Sequence, residues 1–143
     1  MAETDIRDRA QRWLVAEPDD DVRAEMAALL EEPAEVLAAR FDGRLQFGTA
    51  GLRGPIGAGP LRMNRLVVRQ AAAGLGLYLL RTVEDAAERG VIIGYDARRK
   101  SDVFALDTAR VLAAMGVKAL LLPAPLPTPV LAWNIVPHNA AAG

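Results

Sequence analysis

VIIGYDARRKSDVFALDTARVLAAMGVKALLL, residues 91–122, is the stretch on which the fold class turns. Val91 to Tyr95 is a short apolar run rich in β-branched residues, the pattern of a buried strand. Asp96 to Lys100 is a polar turn at its carboxyl end. Ser101 is placed to cap a helix that carries Phe104, Thr108, Val111, Leu112 and Met115 on one face and stops at Gly116. Val117 to Leu122 reads as the next strand. Strand, helix and strand at this spacing predict a parallel pair joined by a right-handed crossover, hence an α/β layer.

Downstream, Pro123, Pro125, Pro127 and Pro129 punctuate a loop. Thr128 as cap and Pro129 at the first helical position then open a short helix predicted to end near Val136. The alternation calls for another strand after it. The chain stops at Gly143, so the expectation is a sheet that lacks its last strand and keeps an apolar edge, a sign of truncation.

Upstream, Asn64 is placed to cap a long helix with Val68, Ala71, Ala72, Leu75 and Leu79 on its inner face, predicted to reach about Glu88 before Gly90 ends it. Between Leu45 and Pro60 no helical period survives, and Gly48, Gly51, Gly54, Gly57 and Gly59 mark strand and tight loop. Three amphipathic helices open the chain. Ile6, Ala10, Trp13 and Leu14 define the first, Val22, Met26, Leu29 and Leu30 the second, and Val36, Leu37 and Phe41 a third that Gly43 ends.

With 143 residues, 52% of them apolar, the chain can bury one core of ordinary size. Its 17 Lys and Arg nearly balance 18 Asp and Glu and are scattered, which argues against nucleic-acid binding. Cysteine is absent, which removes disulfides, thiolate metal sites and thiol nucleophiles together. The start is too polar for a signal peptide, and no apolar run approaches the roughly 20 residues of a membrane span. A cytoplasmic location without membrane partners is the default expectation.

Two segments are candidates for chemistry. In Phe47-Gly48-Thr49-Ala50-Gly51-Leu52-Arg53-Gly54, glycines let the backbone approach a ligand and Arg53 can grip a phosphate with paired hydrogen bonds. A glycine-rich hairpin with Arg53 as a solvated side chain explains the same residues, and composition alone favours it. In Gly94-Tyr95-Asp96-Ala97-Arg98-Arg99-Lys100, Asp96 and Arg98 can orient one another and an anion; equally, Asp96 can close a turn beside a solvated charge run. Ser101, the single serine, has no base beside it and reads as a cap rather than a nucleophile. His138, the single histidine, reads as solvated, and one histidine makes no metal cage. Asp19, Asp20 and Asp21 suit a helix start better than a magnesium site. Trp13 and Trp133 read as core or interface residues.

Taken in order, Arg40-Phe41, FGTAGLRG with Gly57, Gly59, Met63 and Asn64, GYDARRKSDVFA and LPTPVLAW resemble the first domain of the alpha-D-phosphohexomutases, particularly the phosphoribomutase-like branch. The resemblance covers essentially the whole chain. It implies an α/β/α layered domain with a mixed, largely parallel sheet, the last strand missing, over residues 45–143, behind a helical extension over residues 1–44. It implies phosphoryl transfer between a phosphoserine and a hexose or pentose phosphate, with magnesium and a sugar bisphosphate activator in the complete enzyme. The magnesium ligands, the serine loop and the remaining domains are expected outside this chain, which alone would be inactive. Arg53 matches the arginine near the phosphoserine, and Thr49, Gly51 and Arg98 are the expected phosphate-binding residues. Two other readings compete: a free-standing noncatalytic anion-binding or interaction module, open to self-association through its sheet edge, and a nucleotide-binding α/β domain, which lacks its glycine fingerprint.

Overall fold

A computed structural model describes residues 3–49 and 51–143. The chain forms two compact units that divide between Val67 and Val68. The change of sequence character at Leu45 therefore lies inside the first unit.

The first unit opens with α1 (Glu3–Ala16), α2 (Asp20–Leu30) and α3 (Ala34–Phe41). Asp19 caps α2 through its side chain, which accepts from the Asp21 amide, and the Arg7 guanidinium donates to the Leu30 carbonyl at the other end of that helix. Ile6, Ala10, Val22, Met26, Leu29, Leu37, Phe41 and Ala58 make the core. Trp13 packs edge-on against Phe41 with ring centroids 6.0 Å apart. The helices are followed by a two-stranded antiparallel hairpin, β1 (Phe47–Gly48) and β2 (Gly51–Leu52), with Phe47 opposite Leu52 and Gly48 opposite Gly51.

Helix α4 (Arg65–Thr82) starts at Asn64, whose Oδ1 accepts from the Val67 amide at 2.9 Å, as the cap expected there. It ends sooner than its sequence pattern suggests. Asp85 adopts a left-handed conformation, and a separate short helix α5 (Ala86–Arg89) follows. Ala86 is buried in the core of the second unit and the Ala87 carbonyl accepts from the Lys118 amide, so tertiary contacts redirect the chain where local propensity would continue the helix. The buried stripe also shifts: Val68, Ala72, Gly76 and Leu79 point inward while Leu75 is exposed. A Cβ on Gly76 would lie 2.8 Å from the Met115 thioether, so glycine admits a close contact that a leucine at that height would block.

The rest of the second unit is β3 (Val91–Ile93), α6 (Ser101–Ala114), β4 (Ala119–Leu121) and α7 (Thr128–Ile135). Strands β3 and β4 are parallel, with Val91 opposite Ala119 and Ile93 opposite Leu121. Val91 and Ile93 face a core shared with Leu79, Ala105, Leu112 and Val117. Side chains alternate along a strand, so Ile92 and Gly94 face the other way. Leu131 of α7 closes on Gly94 there, its Cδ1 2.8 Å from where a Cβ would stand. Helices thus cover both sides of the sheet, the α/β/α layering. The strand due after α7 begins within the chain: Ala142 bridges Val91 in parallel, the Ala141 amide donates to the Gly90 carbonyl at 2.8 Å, and the Ile92 amide to the Ala142 carbonyl at 3.0 Å. Antiparallel and parallel pairing both occur, in separate small sheets. Among the described residues β4 has no strand on its outer side, and Leu121 is exposed there. No helix among them is long and apolar enough to cross a membrane.

Candidate functional site

The hairpin is the first candidate. Thr49, Gly51 and Arg53 are all exposed, and Thr49 lies in the two-residue connection between the strands. Gly51 has φ +92, a conformation that side chains disfavour, and nothing stands within 4 Å of where its Cβ would be. The backbone at Gly51 is therefore open to an approaching group. Arg53 follows β2 directly and makes no side-chain hydrogen bond or ion pair among the described residues. Its guanidinium is an exposed, uncommitted cation.

The stems of the hairpin are tied down. The Leu45 amide donates to the Pro60 carbonyl at 2.9 Å on the entering side, and the Met63 amide to the Pro55 carbonyl at 2.8 Å on the leaving side. Between these points the chain folds around Asn64, which is 1% exposed and donates from Nδ2 to the carbonyls of Gly57 at 2.9 Å and Gly59 at 2.8 Å. One buried amide thus closes the loop and caps α4 at once.

The second candidate is the turn after β3, in the second unit. Asp96 Oδ1 accepts from the Arg98 amide at 3.0 Å, and Asp96 Oδ2 accepts from Arg98 Nε at 2.7 Å. The carboxylate therefore closes the turn and orients the guanidinium together. Hydrogen bonding from the Arg98 side chain, then from its amide, holds the Asp96 carboxyl down at about 2, from an ordinary 3.8. Arg98 stays protonated more firmly for the same reason. Ser101 is the first residue of α6 rather than its cap: Lys100 occupies the cap position in a left-handed conformation, and the Ser101 Oγ accepts from the Asp96 amide at 3.2 Å. The hydroxyl braces the turn. Thr128 likewise begins α7 one residue earlier than its reading as a cap, with Pro127 at the cap.

Thr49, Gly51 and Arg53 thus share one hairpin of the first unit, and Arg98 belongs to the second. Trp133 is 71% exposed and is not a core residue, whereas Trp13 packs on Phe41. His138 is exposed. No group of three or more His, Asp or Glu side chains among the described residues is arranged to hold a metal ion.

Residues 44–143 match the family described as Phosphoglucomutase/phosphomannomutase, alpha/beta/alpha domain I. The chain belongs to this family. It is similar to a Probable phosphoribomutase of Schizosaccharomyces pombe, 38% identical over 139 residues, which are 96% of this chain and 24% of that protein. A Phosphoglucomutase of Staphylococcus saprophyticus is 41% identical over 105 residues, 73% of this chain and 18% of that protein. The human Glucose 1,6-bisphosphate synthase is 34% identical over 139 residues, 92% of this chain and 22% of that protein. The chain spans about a quarter or less of the length of these relatives. No solved structure matches. The family match begins one residue before Leu45 and so takes in the hairpin, α4 and the whole α/β layer.

Sequence reasoning missed the ties beneath the hairpin. Glu25 and Arg40 lie on different helices, and nothing in their spacing signals that both reach the loop at Gly57 and Ala58.

Proposed function

We propose that this chain is the first domain of a cytoplasmic phosphosugar mutase that interconverts hexose or pentose 1-phosphates with their 6- or 5-phosphates. The observation that supports this most directly is the exposed, uncommitted Arg53 on a glycine-opened hairpin, inside a segment that matches a phosphomutase domain. In this reading a phosphoserine outside these residues gives up its phosphoryl group: its P–O bond breaks as a bond forms from phosphorus to a sugar hydroxyl oxygen, and the proton that hydroxyl loses is balanced by one gained at the serine oxygen. The resulting sugar bisphosphate, which also serves as activator, turns around and returns its other phosphoryl group to the serine.

Charge on the transferring group is what such a site must stabilise, and a fixed cation facing it does so without reorganisation. Arg53 supplies that cation, and Thr49 and the open backbone at Gly51 supply donors to phosphate oxygens; Arg98, in the second unit, is by itself a pre-oriented guanidinium that can bind a phosphate. In this reading the magnesium ligands lie outside these residues. The 143-residue chain by itself is expected to be inactive.

Replacing Arg53 by Ala in the complete enzyme should lower kcat by roughly 100-fold or more, the scale of losing one preorganised charge donor. Steady-state kinetics with a hexose 1-phosphate and a pentose 1-phosphate tests this. Unchanged turnover on both would remove Arg53 from the site.

A further inference from the structure

The helical opening holds the hairpin through one carboxylate. Glu25 on α2 accepts from the Ala58 amide at Oε2, 2.9 Å, and from Arg40 NH1 on α3 at Oε1, 3.0 Å. Arg40 NH1 also reaches the Ala58 carbonyl at 3.3 Å, and its own carbonyl accepts from the Leu61 amide at 3.3 Å. Two helices and the loop thus share a single polar junction. The fit is close: a Cβ on Gly57 would stand 3.1 Å from both Glu25 oxygens and 3.2 Å from Arg40 NH1, and one on Gly59, at φ +98, would stand 3.0 Å from the Arg40 carbonyl. Neither position admits a side chain without moving the junction.

The loop so held is the one to which both hairpin stems are tied, Leu45 at Pro60 and Pro55 at Met63. Among the described residues no sheet runs under the hairpin, and its ladder consists of its own two pairs. We infer that Glu25 and Arg40 are positioning residues for Arg53, and that α2 and α3 are the support of the phosphate-binding hairpin. This rests on the role proposed for Arg53. The junction fixes the height and direction at which the hairpin leaves the helices, and so where its guanidinium stands.

Two measurements test it. In the 143-residue chain, Arg40→Ala and Glu25→Ala should each speed amide hydrogen exchange over residues 45–55 by roughly threefold or more while α6 keeps its protection, since exchange reads local opening. Glu25→Gln, which keeps an acceptor for the Ala58 amide, should show a smaller rise and guards against an alanine variant that does not fold. Unchanged exchange at the hairpin in all three variants overturns the inference. In the complete enzyme, Arg40→Ala should lower kcat more than it raises KM, and adding it to Arg53→Ala should cause no further loss, because the arginine it positions is already gone. Losses that multiply overturn the inference. If Arg53→Ala alone leaves turnover unchanged, the proposed role of Arg53 fails, and the exchange result still decides whether the junction holds the hairpin.

Discussion

The two units each present a loop carrying an exposed arginine, and they hold those loops in different ways. In the second unit the loop leaves directly from β3, a strand buried on both faces, and Asp96 ties the Arg98 guanidinium beside it. In the first unit no buried strand runs beneath the loop among the described residues. Glu25, Arg40 and Asn64 hold its base instead, and Arg53 is left uncommitted. Where a backbone ladder sets the base of a loop, its charged side chains can pair with one another. Where polar side chains of the scaffold set the base, the loop's own cation stays available for a ligand.

The sharpest way to break the comparison is at Gly90, the residue just before β3. It has φ +73, and a Cβ there would lie 2.4 Å from the Lys118 carbonyl oxygen, a backbone atom that cannot swing aside. Gly90→Ala should cost roughly 3 kcal/mol, combining left-handed strain with overpacking, and urea unfolding should show it. A loss of a few tenths would mean that the strand pairing does not set the position of the second loop.

A smaller effect is expected at Glu17 in the first unit, which is 1% exposed and whose Oε2 has no hydrogen-bond partner among the described residues. Burial pushes its carboxyl above the ordinary 4.5, opposed by the hydrogen bond from the Asp19 amide. The folded state therefore binds this proton more tightly than the unfolded chain. Its contribution is full below the ordinary carboxylate value and is lost as pH rises through the raised one. Glu17→Gln should flatten that part of the decline in the urea midpoint on going from acid to neutral pH; an unaltered pH profile would show that the carboxyl is better solvated than its surroundings imply.

The smallest effect concerns the second loop itself. NMR titration of Asp96 should give a midpoint near 2, and Arg98→Ala should return it toward 3.8. Here the folded value is depressed, so the contribution is present above the ordinary value and lost as pH falls through the folded one. A midpoint that ignores the substitution would separate the turn from the ion pair.

Much of this architecture is legible in the residues because the signals are local. The β3, α6, β4 succession, the cap at Asn64 and the hairpin at 47–52 each carry their own periodicity or turn chemistry. What was not legible depends on contacts far along the chain. The end of α4 at Thr82 follows from where Ala86 and Lys118 meet, the inward turn of Gly76 from Met115, and the bracing role of Ser101 from a bond back to Asp96. Of the candidate site, composition marked residues 47–54 as a glycine-rich hairpin and favoured a solvated Arg53; the phosphate role of Thr49, Gly51 and Arg53 came only from the family resemblance. The Glu25 and Arg40 junction could not, since its members are 15 residues apart and meet a loop 18 residues further on.

Asn64 has a consequence for how the chain can change in length. Its single side chain reads three loop carbonyls, those of Gly57, Gly59 and Arg62, and one helix amide, so the residues from Gly57 to Asn64 act as a gauge of fixed size. Adding or deleting one residue there would part the loop from the helix start, whereas at the exposed tip no such gauge is present among the described residues, and Gly51 has open space beside it. Insertions should accumulate at the tip and be purged from the gauge.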